Sequence, residues 1–341
     1  MKILAVETSC DETAIALVDA KGGIKNPRFK IERNLIASQI KIHRPFGGVV
    51  PNLAKREHLK NLPVLYKQLT TNNKQLNPDL IAVTVGPGLE PALWTGVNFA
   101  KELKKKYKKP LIGVNHLEAH LYSILLQVKS HKLKVRELFP AIALVISGGH
   151  TNLLLMKDLL HYKKLGETRD DAVGESFDKV ARLLNLPYPG GPEIEKIAKC
   201  GNPKTIEFPR PMIYQKNYDF SYSGLKTSVL YYLRDNKNIK KEDVAAGFQE
   251  AALDVLILKA LRAAKEFKVK SIMVSGGVAA NKTLQKKFTK KLKKEKTKNF
   301  SPKLLVTKFP TDNGVMIASA AYINHLRKKN RKITAQANLG F

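Results

Sequence analysis

Two histidines four residues apart, His116 and His120, stand directly behind the apolar run Pro110-Leu111-Ile112-Gly113-Val114. The run reads as a buried strand, and Leu117, His120, Leu121 and Ile124 recur after it at helical spacing. Residues i and i+4 lie above one another on a helix face, so both imidazoles can point at one metal ion. A strand-to-helix junction is also where α/β folds place their chemistry. The same short pattern occurs as two ordinary histidines on an amphipathic helix, so a metal site needs a third ligand from elsewhere. Asp312 is the available one, in Pro310-Thr311-Asp312-Asn313-Gly314 ahead of a helix expected over 315–326. By position Asp312 is equally a helix N-cap. An oxygen joined to two imidazoles suits Zn²⁺ or Fe²⁺ and leaves a position open for substrate.

Glu118 lies two residues from each histidine. At about 100° per residue it points roughly 200° away, to the opposite helix face. It is expected to face solvent or to support the ligands from behind. In His-Glu-x-x-His proteases the glutamate follows the first histidine directly, so this spacing argues against that class. No side chain in the sequence stands out as a general base.

Several polar or glycine-rich turns end buried strands. Glu7-Thr8-Ser9-Cys10-Asp11-Glu12-Thr13 joins a strand over 2–6 to one over 14–18; its hydroxyls and carboxylates could hold phosphate or its metal. Ser147-Gly148-Gly149-His150-Thr151 joins strands over 140–146 and 152–156 and offers unobstructed backbone N–H groups. Ser275-Gly276-Gly277-Val278-Ala279-Ala280-Asn281 runs from a strand into a lysine-rich helix, with Asn281 able to bond a sugar or base edge. Gly86-Pro87-Gly88-Leu89 and Tyr188-Pro189-Gly190-Gly191-Pro192 are rigid loops before helices, and 201–225 reads as irregular. The acids of 170–178 are mostly helix-capping by position. His58 reads as a surface or packing residue of a helix over 52–69.

Strands alternating with helices imply α/β layers with a mostly parallel or mixed sheet. The strand–polar turn–strand opening occurs twice, which suggests two halves, 1–135 and 136–341. The charged stretch 129–138 is the boundary, and the last helix is free to pack back on the first half. A chain of 341 residues can bury such cores. No apolar run approaches the roughly 20 residues of a membrane span. Glu7 falls too early for a secretory signal, and two cysteines imply no disulfide framework. The expected location is the cytoplasm, with no membrane partner. Lysine supplies 48 of the 60 basic residues, and the net charge of +31 permits a polyanionic partner such as RNA. A generally lysine-rich surface would look the same.

Taken together, the motifs at 7–13, 47–51, 86–89, 116–120, 147–151, 174–179, 188–192, 275–281 and 311–314 resemble, in order and over nearly the whole chain, the TsaD family. These are the tRNA threonylcarbamoyladenosine transferases, once mislabelled sialoglycoprotein endopeptidases. The resemblance implies an actin-like ATPase (ASKHA, RNase H-like) fold with two duplicated halves around a central cleft. It implies transfer of threonylcarbamoyl from threonylcarbamoyl-AMP to N6 of the adenosine next to the anticodon, in tRNAs reading codons that begin with A, with release of AMP. By position, His116, His120 and Asp312 would bind one Fe²⁺ or Zn²⁺. Val145, Ile146, Ser147, Gly148, Gly149, Asp178, Gly191, Glu195 and Asn281 would line the adenylate site. The implied partners are tRNA, a TsaB-like actin-like paralogue and a TsaE-like P-loop ATPase, with a TsaC-type enzyme supplying the donor. Ala119 stands where the family commonly has glycine, and the chain stops at Asn338-Leu339-Gly340-Phe341 where many relatives have a short further tail. A sugar kinase or a non-catalytic scaffold of the same fold are the rival readings. Neither needs the two-histidine metal site.

Overall fold

A computed structural model describes residues 1–71, 76–127, 134–238 and 240–341. Residues 129–133 of the expected boundary lie outside these. The chain divides into two compact units, 1–137 with 311–341, and 138–310.

In the first unit, β1 (Lys2–Glu7), β2 (Glu12–Lys21) and β3 (Arg28–Ser38) form an antiparallel meander. A short α1 (Ile40–His43) and α2 (Pro51–Thr70) lead to β4 (Leu80–Gly86), then α3 (Glu90–Tyr107), β5 (Leu111–Asn115) and α4 (His116–Tyr122). The sheet order is β3-β2-β1-β4-β5, with β4 parallel to both β1 and β5. The central strands are buried on both faces, so they read as continuous apolar runs; edge strand β3 is half-exposed throughout.

The second unit repeats this plan. It runs β6 (Ala141–Ile146), β7 (Thr151–Met156), β8 (Tyr162–Glu167), α5 (Val173–Leu183), α6 (Gly190–Ala198), α7 (Ser223–Asp235), α8 (Lys241–Glu266), β9 (Ser271–Ser275), α9 (Lys282–Glu295) and β10 (Lys303–Val306). Its sheet order, β10-β9-β6-β7-β8, is the first sheet's order with β6 in the place of β1. The antiparallel and parallel pairings correspond one for one. Helix α8 is buried on nearly every side and forms the middle of this unit's core. Two elements go beyond the sequence reading. Strand β8 is a short, half-exposed edge whose Tyr-Lys-Lys pattern hides its period, and α7 begins inside the stretch read as irregular.

The chain then returns to the first unit as α10 (Gly314–Leu326), which packs on β1, β2 and α4. The stretch 136–341 is therefore not one continuous half: 311–341 groups with 1–137. Gly314 permits this return, since a Cβ there would lie 2.7 Å from the backbone nitrogen of Ala16.

Candidate metal centre and nucleotide loops

Strand β5 runs straight into α4. Asn115 caps the junction: its Oδ1 accepts from the amides of Leu117 (2.8 Å) and Glu118 (3.1 Å). That fixes the first turn of α4 and stacks His116 and His120 on one side, with ring centroids 4.6 Å apart. Asp312 arrives from the start of α10. Its Oδ1 lies 3.2 Å from His120 Nε2 and 3.5 Å from His116 Nε2. One ligand atom from each of the three fits within 4.8 Å of the others. Asp312 is not the cap of α10. Asn313 takes that role, accepting from the Met316 amide at 2.9 Å, which leaves the aspartate to the histidines.

Glu7, at the buried end of β1, stands behind His116. Its Oε2 lies 3.3 Å from His116 Nδ1 and accepts from Thr84 Oγ1 at 2.6 Å; Ser9 Oγ is 3.1 Å from the same Nδ1. A carboxylate on Nδ1 holds that nitrogen protonated and turns the Nε2 lone pair outward, the arrangement that orients metal-ligating histidines. Sequence reasoning took Glu7 only as part of a polar turn. The signal that could have found it is a carboxylate closing an otherwise apolar buried strand.

The electrostatics of the cluster suit a cation. His120 is fully buried; its Nε2 meets the Asp312 carboxylate at 3.2 Å, and its Nδ1 has no hydrogen-bond partner among the described residues. Burial holds its pKa below the ordinary value. Burial also opposes charge on His116, but Asp312 and Glu7 outweigh it and push its pKa up to about 9. Burial, with the nearby Asp11 and Asp312 charges, drives Glu12 up to about 10. Acids crowd two buried imidazoles whose Nε2 atoms both face Asp312 Oδ1. The donor set of two nitrogens and one carboxylate oxygen suits a divalent transition ion.

Glu118 corrects the sequence reading in part. It does leave the histidine face, yet it does not face solvent. It is fully buried, ion-paired to Lys329 (2.6 Å) and Arg331 (3.2 Å), and accepts from Asn324 Nδ2 (3.2 Å). Those partners lie so far along the chain that no helical spacing announces them. With both oxygens engaged, Glu118 is no base for a metal-side reaction. His58 is likewise buried rather than superficial. Its Nε2 donates to the Cys10 carbonyl (2.9 Å), and its Nδ1 takes hydrogen bonds from Thr13 Oγ1 (2.8 Å) and Gln39 Nε2 (3.2 Å), so it pins the β1–β2 turn.

In the second unit the proposed adenylate residues divide by role. Val145 and Ile146 are fully buried in β6, Val145 paired to strands on both sides and Ile146 to Thr151 of β7, so their side chains belong to the core. Ser147 donates its amide to the His150 carbonyl (2.8 Å), closing the turn. The amides of Gly148 and Gly149 make no hydrogen bond among the described residues, and a Cβ on either would meet nothing within 4 Å. Gly191 faces equally open space. Asp178 Oδ1 accepts from the Gly190 amide (2.7 Å) and so shapes the loop before α6. Glu195 Oε1 accepts from the Thr283 amide (3.0 Å), and Asn281 Oδ1 from the Leu284 amide (2.8 Å); both cap α9. Asn281 Nδ2 is bound to Gln249 Oε1 at 2.9 Å, so its amide is held in place rather than free to read a base.

Residues 30–319 match the family profile TsaD: tRNA N6-adenosine threonylcarbamoyltransferase. The chain belongs to this family. Relatives that carry the name tRNA N6-adenosine threonylcarbamoyltransferase include one from Thermosipho melanesiensis, 47% identical over 99% of both chains. Another, from Thermosipho africanus, is 47% identical over 94% of both. A third, from Moorella thermoacetica, is 46% identical over 96% of this chain and 92% of its own. Among solved structures, HypF from T. kodakarensis aligns with 96% of this chain at a TM-score of 0.60 and 16% identity; this chain spans 48% of HypF. A ROK family protein from Streptococcus pneumoniae, solved with sucrose, aligns with 96% of this chain and 99% of its own at 0.53 and 14% identity. These likenesses concern the fold, which is the actin-like ATPase fold. As a member of the TsaD family the chain is an acyltransferase that forms threonylcarbamoyladenosine in tRNA. No described helix is long and apolar enough to cross a membrane.

Proposed function

We propose that the donor is threonylcarbamoyl-AMP and the acceptor N6 of the adenosine next to the anticodon in tRNAs reading codons that begin with A. The amine nitrogen attacks the carbamoyl carbon, the bond from that carbon to the phosphate oxygen breaks, AMP leaves with the electron pair, and N6 gives up a proton. An exocyclic adenine amine is a feeble nucleophile, so the carbonyl must be polarised and the donor held in position. The observation that carries the reading is the convergence of His116, His120 and Asp312, whose ligand atoms lie within 4.8 Å of one another.

In this reading those three residues hold one divalent ion, Fe²⁺ or Zn²⁺, which supplies Lewis acidity. Glu7 fixes the ring of His116. Gly148, Gly149 and Gly191 give the adenylate an approach to backbone that no side chain obstructs. In this reading the Gly148 and Gly149 amides donate to developing negative charge. Asp178, Glu195 and Asn281 act by shaping the loops and the start of α9. No general base is assigned; the proton passes to solvent. The enzyme works in the cytoplasm, with a TsaB-like paralogue and a TsaE-like ATPase as helpers and a TsaC-type enzyme supplying the donor.

The test mixes the purified chain with threonylcarbamoyl-AMP and unmodified tRNA, with and without helpers, and reads the product nucleosides by mass spectrometry. Modified adenosine from wild type and none from His116→Ala is the expected result. Equal product from both would remove the metal residues from the reaction. No product under any condition would overturn the assignment of donor and acceptor.

A further inference from the structure

The second unit carries an exposed surface that the chemistry above does not use. Helix α8 reaches this surface as a partly exposed stripe, Glu250, Leu258 and Arg262, with buried Asp254 between them at the same four-residue spacing, along about 18 Å of helix. On one side lies α9. Its Leu284, Phe288 and Leu292 are buried, and Lys287 and Lys291 reach Asp254 at 3.0 and 3.2 Å. On the other side lies the loop 208–219. Arg210 reaches the same Asp254 at 3.3 Å. Arg262 donates to the carbonyls of Gln215 (2.7 Å) and Asn217, and Lys259 to that of Asp219 (2.5 Å).

This loop is therefore fastened along its length. It nevertheless holds the ring of Tyr214 96% exposed, in a turn closed by the Gln215 amide on the Met212 carbonyl (3.1 Å). The carboxylates in the middle of the surface are consumed: Asp254 alone takes three cations. The outward lysines of α9, Lys286, Lys290, Lys293 and Lys294, are exposed and form no ion pair among the described residues. A lysine-rich chain exposes many such residues. Across α8 from them the same unit holds out an aromatic ring, and exposed cations together with an exposed ring suit single-stranded nucleic acid, in which phosphates meet cations and an unstacked base lies on a π-face.

We infer that the surface formed by the 208–219 loop, α8 and α9 binds the tRNA substrate, with Tyr214 stacking on an unpaired base and Lys286, Lys290 and Lys294 on the phosphate backbone. The inference rests on the proposed tRNA function and locates its RNA face.

The test measures binding of an unmodified tRNA transcript to the full chain across a salt series. It compares wild type, K286Q/K290Q/K294Q, Tyr214→Ala, Tyr214→Phe, and a control in which three exposed lysines of the first unit are replaced (K30Q/K60Q/K67Q). Thermal unfolding checks that each variant is folded. The α9 triple variant should flatten the dependence of log K on log salt by about two to three. Tyr214→Ala should weaken binding about tenfold, and Tyr214→Phe should restore it. The control should keep the wild-type slope. A control slope that falls as far as the α9 slope, or a Tyr214→Ala variant that binds like wild type, would overturn the inference. If wild type forms modified adenosine while the variants bind normally, the surface is wrong and the function stands. If wild type neither binds tRNA nor modifies it, the function fails and the inference fails with it.

Discussion

The turn between β1 and β2 and the turn between β6 and β7 occupy the same place in two sheets of identical order, and each spans four residues. They are built in opposite ways. The first, Thr8-Ser9-Cys10-Asp11, is packed with side chains. Thr8, Ser9 and Asp11 are buried, Glu7 stands behind His116, and His58 holds the turn from outside. The second, Ser147-Gly148-Gly149-His150, has almost no side chain in its middle, and its two glycines look into open space. One backbone scaffold thus supports a turn that concentrates charge and a turn that offers bare amides. The first suits an ion, the second a ligand that must approach the main chain.

The sharpest way to break the contrast is to remove a ligand from the packed turn's side. Asp312→Ala or His120→Ala should cut bound metal to background and lower transfer by about 100-fold or more, read by elemental analysis and product formation. Retained metal in both would mean the ion sits elsewhere. The open turn should fail differently. Gly149→Leu should lower transfer by roughly 100-fold through misplacement of the donor while leaving metal content and unfolding temperature unchanged, because the added side chain meets no protein atom. Lost stability there would show the space is not truly open.

Glu7→Gln tests the support of His116. Metal affinity should fall about 10- to 100-fold, measured by competition with a chelator, with the protein still folded. The smallest effect belongs to His58. His58→Leu should cost about 1–3 kcal/mol of stability, since it removes the partner of the Cys10 carbonyl and the shorter of the hydrogen bonds of the buried Thr13 hydroxyl. Burial holds the folded pKa of His58 below the ordinary histidine value. Its contribution is therefore complete above about 6.5 and declines as pH falls below that, because the unfolded chain takes up the proton first. Wild type should lose this increment on mild acidification and His58→Leu should not. Parallel pH profiles would remove His58 from the account.

How much of this was legible in the sequence depends on the range of the interaction. His116 and His120 could be read because a helix repeats over four residues. Asp312 could be read only as one of two options, since Asp312 and Asn313 are adjacent and either could have capped α10; the structure gives the cap to Asn313. Glu118 was assigned to the correct face, with solvent left open as its environment, and the structure buries it. The local period says where a side chain points but not that Lys329 and Arg331 return to cover it. Val145 and Ile146 belong to a recognisable motif, yet they lie within the buried strand that carries it. Asn281 sits beside a glycine turn that suggests a nucleotide, but its first duty is to cap α9.

The return of 311–341 to the first unit has a consequence for biosynthesis. The ribosome completes the whole of 138–310 before it makes Asp312, Lys329 or Arg331. The helix that carries His116 and His120 therefore waits, with the carboxylate of Glu118 uncompensated and Asp312 absent, until 138–310 has been made. A nascent chain can fold 138–310 first, and the candidate metal cluster closes only after 311–331 has followed it.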